Sequence, residues 1–185
     1  SRPPTNPTTK LPKSDLEYSY GSGQIDPLAA LNPGLLYDIT ESSYLRFLCS
    51  KHPNTTAVAI LTGSRNFNCA NFSNAKGYDG LNYPSFHYIV PDSAKPSLAT
   101  YRRVVTNVGG GAAVYKAIVE APPGVEIEVS PAKLEFRKVN EKRSFSSLVV
   151  GVAAIGGRPP YIVSGSLVWS DGVHKVRSPI AIHYT

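Results

Sequence analysis

The sequence predicts a mainly β protein: a C-terminal antiparallel β-sandwich preceded by a short helical segment. Three observations predict it. The 185 residues include 16 Pro and 15 Gly, and only 17% are charged; about 25% charged and about 12% Pro plus Gly are usual, so strands and turns are favoured over long helices. From Leu81 onward apolar side chains recur with a period of two, whereas helical spacing is confined to residues 15–62. The longest apolar stretches, Ala57 to Leu61 and Leu148 to Ile155, fall well short of the roughly 18 residues that span a bilayer. No transmembrane helix is expected.

Residues 1–14 are polar and Pro-rich and read as an exposed linker. The chain begins at Ser1 and contains no Met, so an upstream segment is expected. Asp26-Pro27 sets a capping carboxylate before a proline suited to a first helical turn, and Leu28 to Leu31 follow until Asn32-Pro33-Gly34 stops the helix. A second helix begins near Thr40, with Tyr44, Phe47 and Leu48 on one face, and ends near Cys49; a third short one covers Thr56 to Leu61. Val125, Ile127 and Val129 alternate with Glu126 and Glu128, which marks a half-buried strand. Similar runs cover 82–90, 101–108, 114–120, 133–136, 144–152, 161–169 and 173–183, separated by Pro, Gly and Asn. Asp171-Gly172 predicts a two-residue hairpin turn, and Gly109-Gly110-Gly111 reads as a hairpin loop. Such strands over about 105 residues predict a sandwich of immunoglobulin or fibronectin type III character. The Cys…Trp…Cys pattern of antibody domains is missing, which favours the fibronectin type.

Charge is uneven: residues 1–80 carry 7 basic and 6 acidic side chains, residues 81–185 carry 12 and 7. A nucleic-acid surface would need Lys and Arg clustered on one face with stacking aromatics, but here the basic residues fall mostly as singles or pairs such as Arg102-Arg103. No nucleic-acid partner and no membrane partner are expected. Cys49 and Cys69 suit either one disulfide or two unrelated thiols. Two N-x-[ST] triplets help decide: Asn54 lies within the segment the cysteines would enclose and Asn71 just beside it. Together they argue for an oxidising, secretory compartment, a Cys49–Cys69 bridge and N-glycosylation at both asparagines.

Chemistry is sparse. His52, His87, His174 and His183 show no metal-ligand spacing, the triple glycine lacks the Lys-Ser/Thr of a phosphate loop, and Ser22 does not sit in a nucleophile elbow. No catalytic residue, metal site or cofactor is read from the residues.

Eight blocks occur in order between residues 18 and 180: Tyr20 to Pro27 (YGSGQIDP), Ala30 to Asp38 (ALNPGLLYD), Tyr44 to Cys49 (YLRFLC), Ile60 to Gly63 (ILTG), Leu81 to Ser85 (LNYPS), Arg103 to Gly109 (RVVTNVG), Leu167 to Gly172 (LVWSDG) and Val176 to Ile180 (VRSPI). In this order they resemble the C-terminal third of the cucumisin-like plant subtilases, which are subtilisin-type serine endopeptidases. Ser22, Gln24 and Val104 stand where that family often has Ala, His and Thr. The resemblance implies that 15–50 finish an upstream α/β subtilisin-like domain, 51–79 form a disulfide-closed, glycosylated connector, and 80–185 form a fibronectin type III-like sandwich. It also implies that the catalytic Asp, His and Ser and the oxyanion Asn lie upstream, so none falls in this chain. The partner would be the upstream catalytic portion, held noncovalently if the linker is cut, with protein or peptide substrates reached through it. The setting would be extracellular space, cell wall or vacuole. Tyr20, Leu28, Leu31, Leu35, Leu36, Tyr44 and Phe47 make apolar faces too small for a core of their own, which implies an upstream partner surface. The alternative is a free β-sandwich binding or storage module, whose helical segment would fold back on its own sandwich.

Overall fold

The structure, a computed structural model, describes residues 21–51, 55–63, 67–72, 77–92, 95–122, 124–151 and 161–185. The expected linker 1–14, Tyr20, His52 and Asn54 lie outside these. Among the described residues the order is α1 Pro27–Leu31, β1 Leu35–Leu36, α2 Glu41–Lys51, α3 Thr55–Thr62, a 3-10 turn Cys69–Asn71, β2 Phe86–Val90, β3 Ser97–Asn107, β4 Ala113–Glu120, β5 Val125–Ser130, β6 Lys133–Phe136, β7 Lys142–Gly151, β8 Tyr161–Ser170 and β9 Lys175–Tyr184.

The helices form where their capping chemistry lies. Asp26 caps α1, its Oδ1 accepting the Ala29 N–H at 3.1 Å with Pro27 in the first turn. Thr40 stands before α2, its Oγ1 accepting the Ser43 N–H at 3.3 Å. Glu41 in the first turn and Lys51 in the last suit the helix dipole, and α2 runs two residues beyond the expected end. It packs on α3, whose Val58 is buried, and the Cys49–Cys69 disulfide ties the end of α2 to the 3-10 turn.

Two sheets form the sandwich. One has the order β1-β3-β7-β5 and the other β2-β9-β8-β4-β6. Alternation puts Tyr101, Val105 and Phe145 of the first sheet inside against Phe86, Tyr115, Trp169, Ile180 and Ile182 of the second. Phe86–Tyr101 and Phe145–Trp169 meet edge-to-face at 5.2 and 5.0 Å between ring centres and join the two sheets. On β5, Val125 and Val129 are buried while Glu126 and Glu128 face solvent, as their alternation requires.

The structure departs from the sequence reading in four places. The sandwich is not wholly antiparallel, because β2 runs parallel to β9 from Phe86↔Ile180 to Val90↔Tyr184. A parallel pair needs a long crossover, and here the whole sandwich lies between the two strands in sequence. The triple glycine is not a hairpin loop: β3 and β4 lie in different sheets, so residues 108–112 cross from one to the other. The Asn107 side chain holds that crossover, donating to the Gly111 and Lys138 carbonyls at 2.7 and 3.2 Å and accepting the Gly109 N–H at 3.1 Å. The Asp171-Gly172 turn is a four-residue loop, since Ser170 pairs with Lys175. Asp171 Oδ1 accepts both the Val173 and His174 N–H groups, at 2.9 and 2.6 Å, and this side-chain cap holds the wider loop.

The fourth departure concerns residues 34–38. Leu35, grouped above with faces awaiting an upstream partner, is 2% exposed and belongs to the sandwich core. β1 extends the first sheet through Leu35↔Asn107 and Leu36↔Thr106. The hydrogen-bonding edge of β3 was free to take a partner there, and a two-residue strand satisfies it.

Candidate functional site

The joint between the helical segment and the sandwich concentrates the polar chemistry. Val108 N–H donates to the Gly34 carbonyl at 2.9 Å beside the β1–β3 pairing. Tyr37 Oη and Ser178 Oγ are hydrogen-bonded at 2.9 Å, and burial pushes the Tyr37 phenol up. Asp38 accepts from Lys142 Nζ at 2.8 Å and from Thr106 Oγ1, which hold its carboxyl below the ordinary range. Asn82 acts as a side-chain strand partner: its Oδ1 accepts the Val104 N–H, while its Nδ2 donates to the carbonyls of Val104 and Asp38.

Arg103 fastens the approach to β2. It is 1% exposed and uses all its donors: Nε to the Tyr83 carbonyl at 2.6 Å, Nη1 to Asp79 and the Arg102 carbonyl, and Nη2 to Asp79 and the Ser85 carbonyl. Its guanidinium lies 4.7 Å from the centre of the Phe86 ring. The two-pronged pairing with Asp79 lets this cation be buried.

Above Gly34 sits an Asp–His–Tyr group. His174 Nδ1 lies 2.8 Å from Asp171 Oδ2 and 3.4 Å from Tyr115 Oη. Burial alone would raise the Asp171 carboxyl, but the His174 ring and the His174 and Val173 N–H groups outweigh it and bring it to about 2. Burial, then the Asp171 charge, pushes the Tyr115 phenol up. A Cβ at Gly34, whose φ is +76, would lie 2.5 Å from Tyr115 Oη and 2.8 Å from His174 Cγ, so only glycine fits. His174 Nε2 is buried with no partner among the described residues. The Asp171 carboxylate accepts from His174 Nδ1–H. The imidazole and carboxylate resemble two parts of a catalytic triad, but none of the described hydrogen bonds joins a serine hydroxyl to the ring.

This group opens onto a cleft of about 740 Å³ whose lining includes Ile25, Ala29, Leu35, Val173, His174 and Val176. Ile25 and Val173 on its lining, and Leu28 and Leu31 on adjoining α1, are 81–84% exposed, more than any other large hydrophobic side chain among the described residues. α1 buries none of its own residues.

The other candidates are dispersed. Ser22 lies in a turn and lines a separate cleft with His87. His87 and His183 stack at 6.5 Å between ring centres, and burial, then His183, holds the His87 imidazole low. Among the described residues no group of three or more His, Cys, Asp and Glu side chains could hold a metal ion, and no helix is long and apolar enough to cross a membrane. Asn71 is exposed on the 3-10 turn. Sequence reasoning missed Arg103–Asp79, Asn82, Asn107 and the Asp171–His174 pair. Only the last had a visible signal, an Asp-Gly-x-His run that can cap its own loop.

The profile described as "Fibronectin type-III domain" matches residues 80–182. The chain belongs to this family. Its curated relatives include two proteins of Arabidopsis thaliana. Subtilisin-like protease SBT4.14 is 44% identical over 96% of this chain and 23% of its own length, and subtilisin-like protease SBT4.15 is 43% identical over 94% and 23%. This fibronectin type-III chain thus spans about a quarter of the length of the proteases it matches, in their C-terminal region. Among solved structures, a FixG-related protein from Vibrio parahaemolyticus matches 51% of the chain and 98% of its own at 12% identity and a TM-score of 0.38.

Proposed function

We propose that this chain is the C-terminal, non-catalytic part of a secreted subtilisin-like serine endopeptidase, and that it completes and stabilises the upstream catalytic portion. The observation that carries this reading is the 43–44% identity over nearly the whole chain to proteases of which it spans only 23%. Peptide-bond cleavage would proceed by acyl transfer in the upstream portion. A serine there attacks the carbonyl, a histidine moves the proton, an aspartate orients the histidine and an asparagine holds the oxyanion. This chain would bring a packed β-sandwich and a fastened joint, with protein or peptide substrates met elsewhere in the enzyme. The Cys49–Cys69 disulfide and the exposed Asn71 support an oxidising, secretory setting with glycan at Asn71.

The test compares the full-length enzyme with one truncated before Tyr20. Truncation should abolish soluble, active peptidase, and a serine-directed fluorophosphonate should label the full-length enzyme only upstream of this chain. A truncated enzyme of undiminished activity, or label on Ser22, would sink the reading. One observation favours the second reading, a free binding module: residues 34–38 do fold back on the sandwich. That reading predicts that the chain circulates alone, as a single species of about 20 kDa in native mass spectrometry of the source material.

A further inference from the structure

We infer that the cleft between α2 and the outer face of the first sheet binds an extended acidic peptide, with Arg46 and Arg102 holding its carboxylates; this rests on the reading proposed above, which brings peptides to the molecule. The cleft is about 650 Å³. One wall carries Ser43 and Arg46, three residues apart on one face of α2, and the other carries Arg102 of β3 with Ser144 and Ser146 of β7. These strands bury Tyr101, Arg103, Phe145 and Ser147, so the residues between them stand on the opposite face of the sheet. Asn82, also on the lining, bonds both Val104 and Asp38 and fixes the chain that leads into α2 against β3.

Charge matching singles out the two arginines. Lys142 is paired with Asp38, Arg103 with Asp79, Arg143 with Glu141 and Lys133 with Glu135. Among the described residues no hydrogen bond or ion pair engages the Arg46 and Arg102 guanidiniums or the Ser144 and Ser146 hydroxyls. Asp38, already taken by Lys142 and Thr106, is the only acid on the lining among the described residues. Unmatched guanidinium forks beside free hydroxyl donors suit carboxylates, and Arg clusters are a general means of reading acidic peptide motifs. The sheet sets the shape of the ligand. Its register puts Arg102 beside Ser146 and Val104 beside Ser144, so rows on this face repeat every two residues, roughly 6.8 Å. Alternate side chains of an extended peptide have the same repeat. Acidic side chains therefore fall in step with the rows, while Leu81 and Val104 offer apolar ground between them.

The test uses the full-length enzyme with its nucleophile blocked by a fluorophosphonate, so that bound peptide is not cut. The probe is a fluorescent peptide of alternating Glu and Ala, with an alternating Gln and Ala peptide as the neutral control, read by fluorescence anisotropy. Arg46→Gln and Arg102→Gln should each weaken binding of the Glu peptide about 10-fold, and added salt should weaken it in the unaltered enzyme. Arg137→Gln, which removes an exposed cation outside this lining, should leave binding unchanged. Equal loss in the Arg137→Gln variant would mean general attraction to a basic surface and would overturn the site. So would a Glu peptide that binds no better than the Gln peptide, or a uronic-acid oligomer that binds in its place. Should any of these appear in an enzyme that takes the fluorophosphonate and cleaves peptides, the proposed function stands and this site alone falls. An enzyme that takes no label and cleaves no peptide brings both down together.

Discussion

At the scale of single residues, buried polar groups decide what can be changed. Arg103 has all its donors satisfied in the sandwich, and Asp79, its carboxylate partner, is 27% exposed. Removing that partner strands a buried cation, so Asp79→Ala should cost about 3 kcal/mol in chemical denaturation, at the low end for such pairs because water reaches Asp79. Gly34→Ala should cost about 2 kcal/mol or more, since the φ of +76 penalises any Cβ and this one meets Tyr115 Oη at 2.5 Å. For a chain of this length the melting temperature should then fall by roughly 4–8 °C. The Asp171 carboxyl sits near 2 in the folded protein and near 3.9 when unfolded. Its folded value is depressed, so its stabilising contribution is complete above about pH 4 and is lost as pH falls from there through about 2. Asp171→Asn should flatten the acid limb of stability between pH 4 and 2, measured by thermal melts across that range. An equally steep limb in the variant would refute this assignment. These residues were poorly legible in the sequence, because Arg103, Asn82 and Asn107 look like ordinary polar positions until the fold brings carbonyls 18 to 44 residues away within reach.

At the scale of elements, the strands were readable wherever one face was buried and the other wet, because a period of two then appears directly in the residue types. β4, β5 and β6 start and end within about a residue of expectation for that reason. The pairing of the strands was not readable. Alternation tells a strand which face to bury but not which neighbour to join, so the parallel β2–β9 pair and the crossing of 108–112 between sheets went unforeseen. β1 was invisible for a related reason: two leucines beside a helix stop look like the end of a helical unit. The Cys49–Cys69 bridge closes a loop of 20 positions. Replacing both cysteines by serine should lower stability by about 3 kcal/mol, read as a shifted denaturation midpoint.

At the scale of the whole molecule, the two ends differ in kind. The sandwich has a closed aromatic core, whereas the α1 end exposes its leucines and keeps an imidazole nitrogen that is unmatched among the described residues. Composition and the period of two foretold the sandwich but gave no hint of which end would be left unfinished, since Leu35 and Leu28 are the same residue type seven positions apart. One is 2% exposed in the core and the other 81% exposed on α1.

β1 also has a mechanical consequence. Tension transmitted along the chain from the N-terminal side enters the sandwich at Leu35, so it loads a two-residue bridge, the Leu35 core contact and the Tyr37 and Asp38 attachments before it reaches β2. These contacts form a strain relief: a pull on the linker spends itself at a small clip on the sheet edge, and the eight-strand body behind it stays unloaded until the clip lets go.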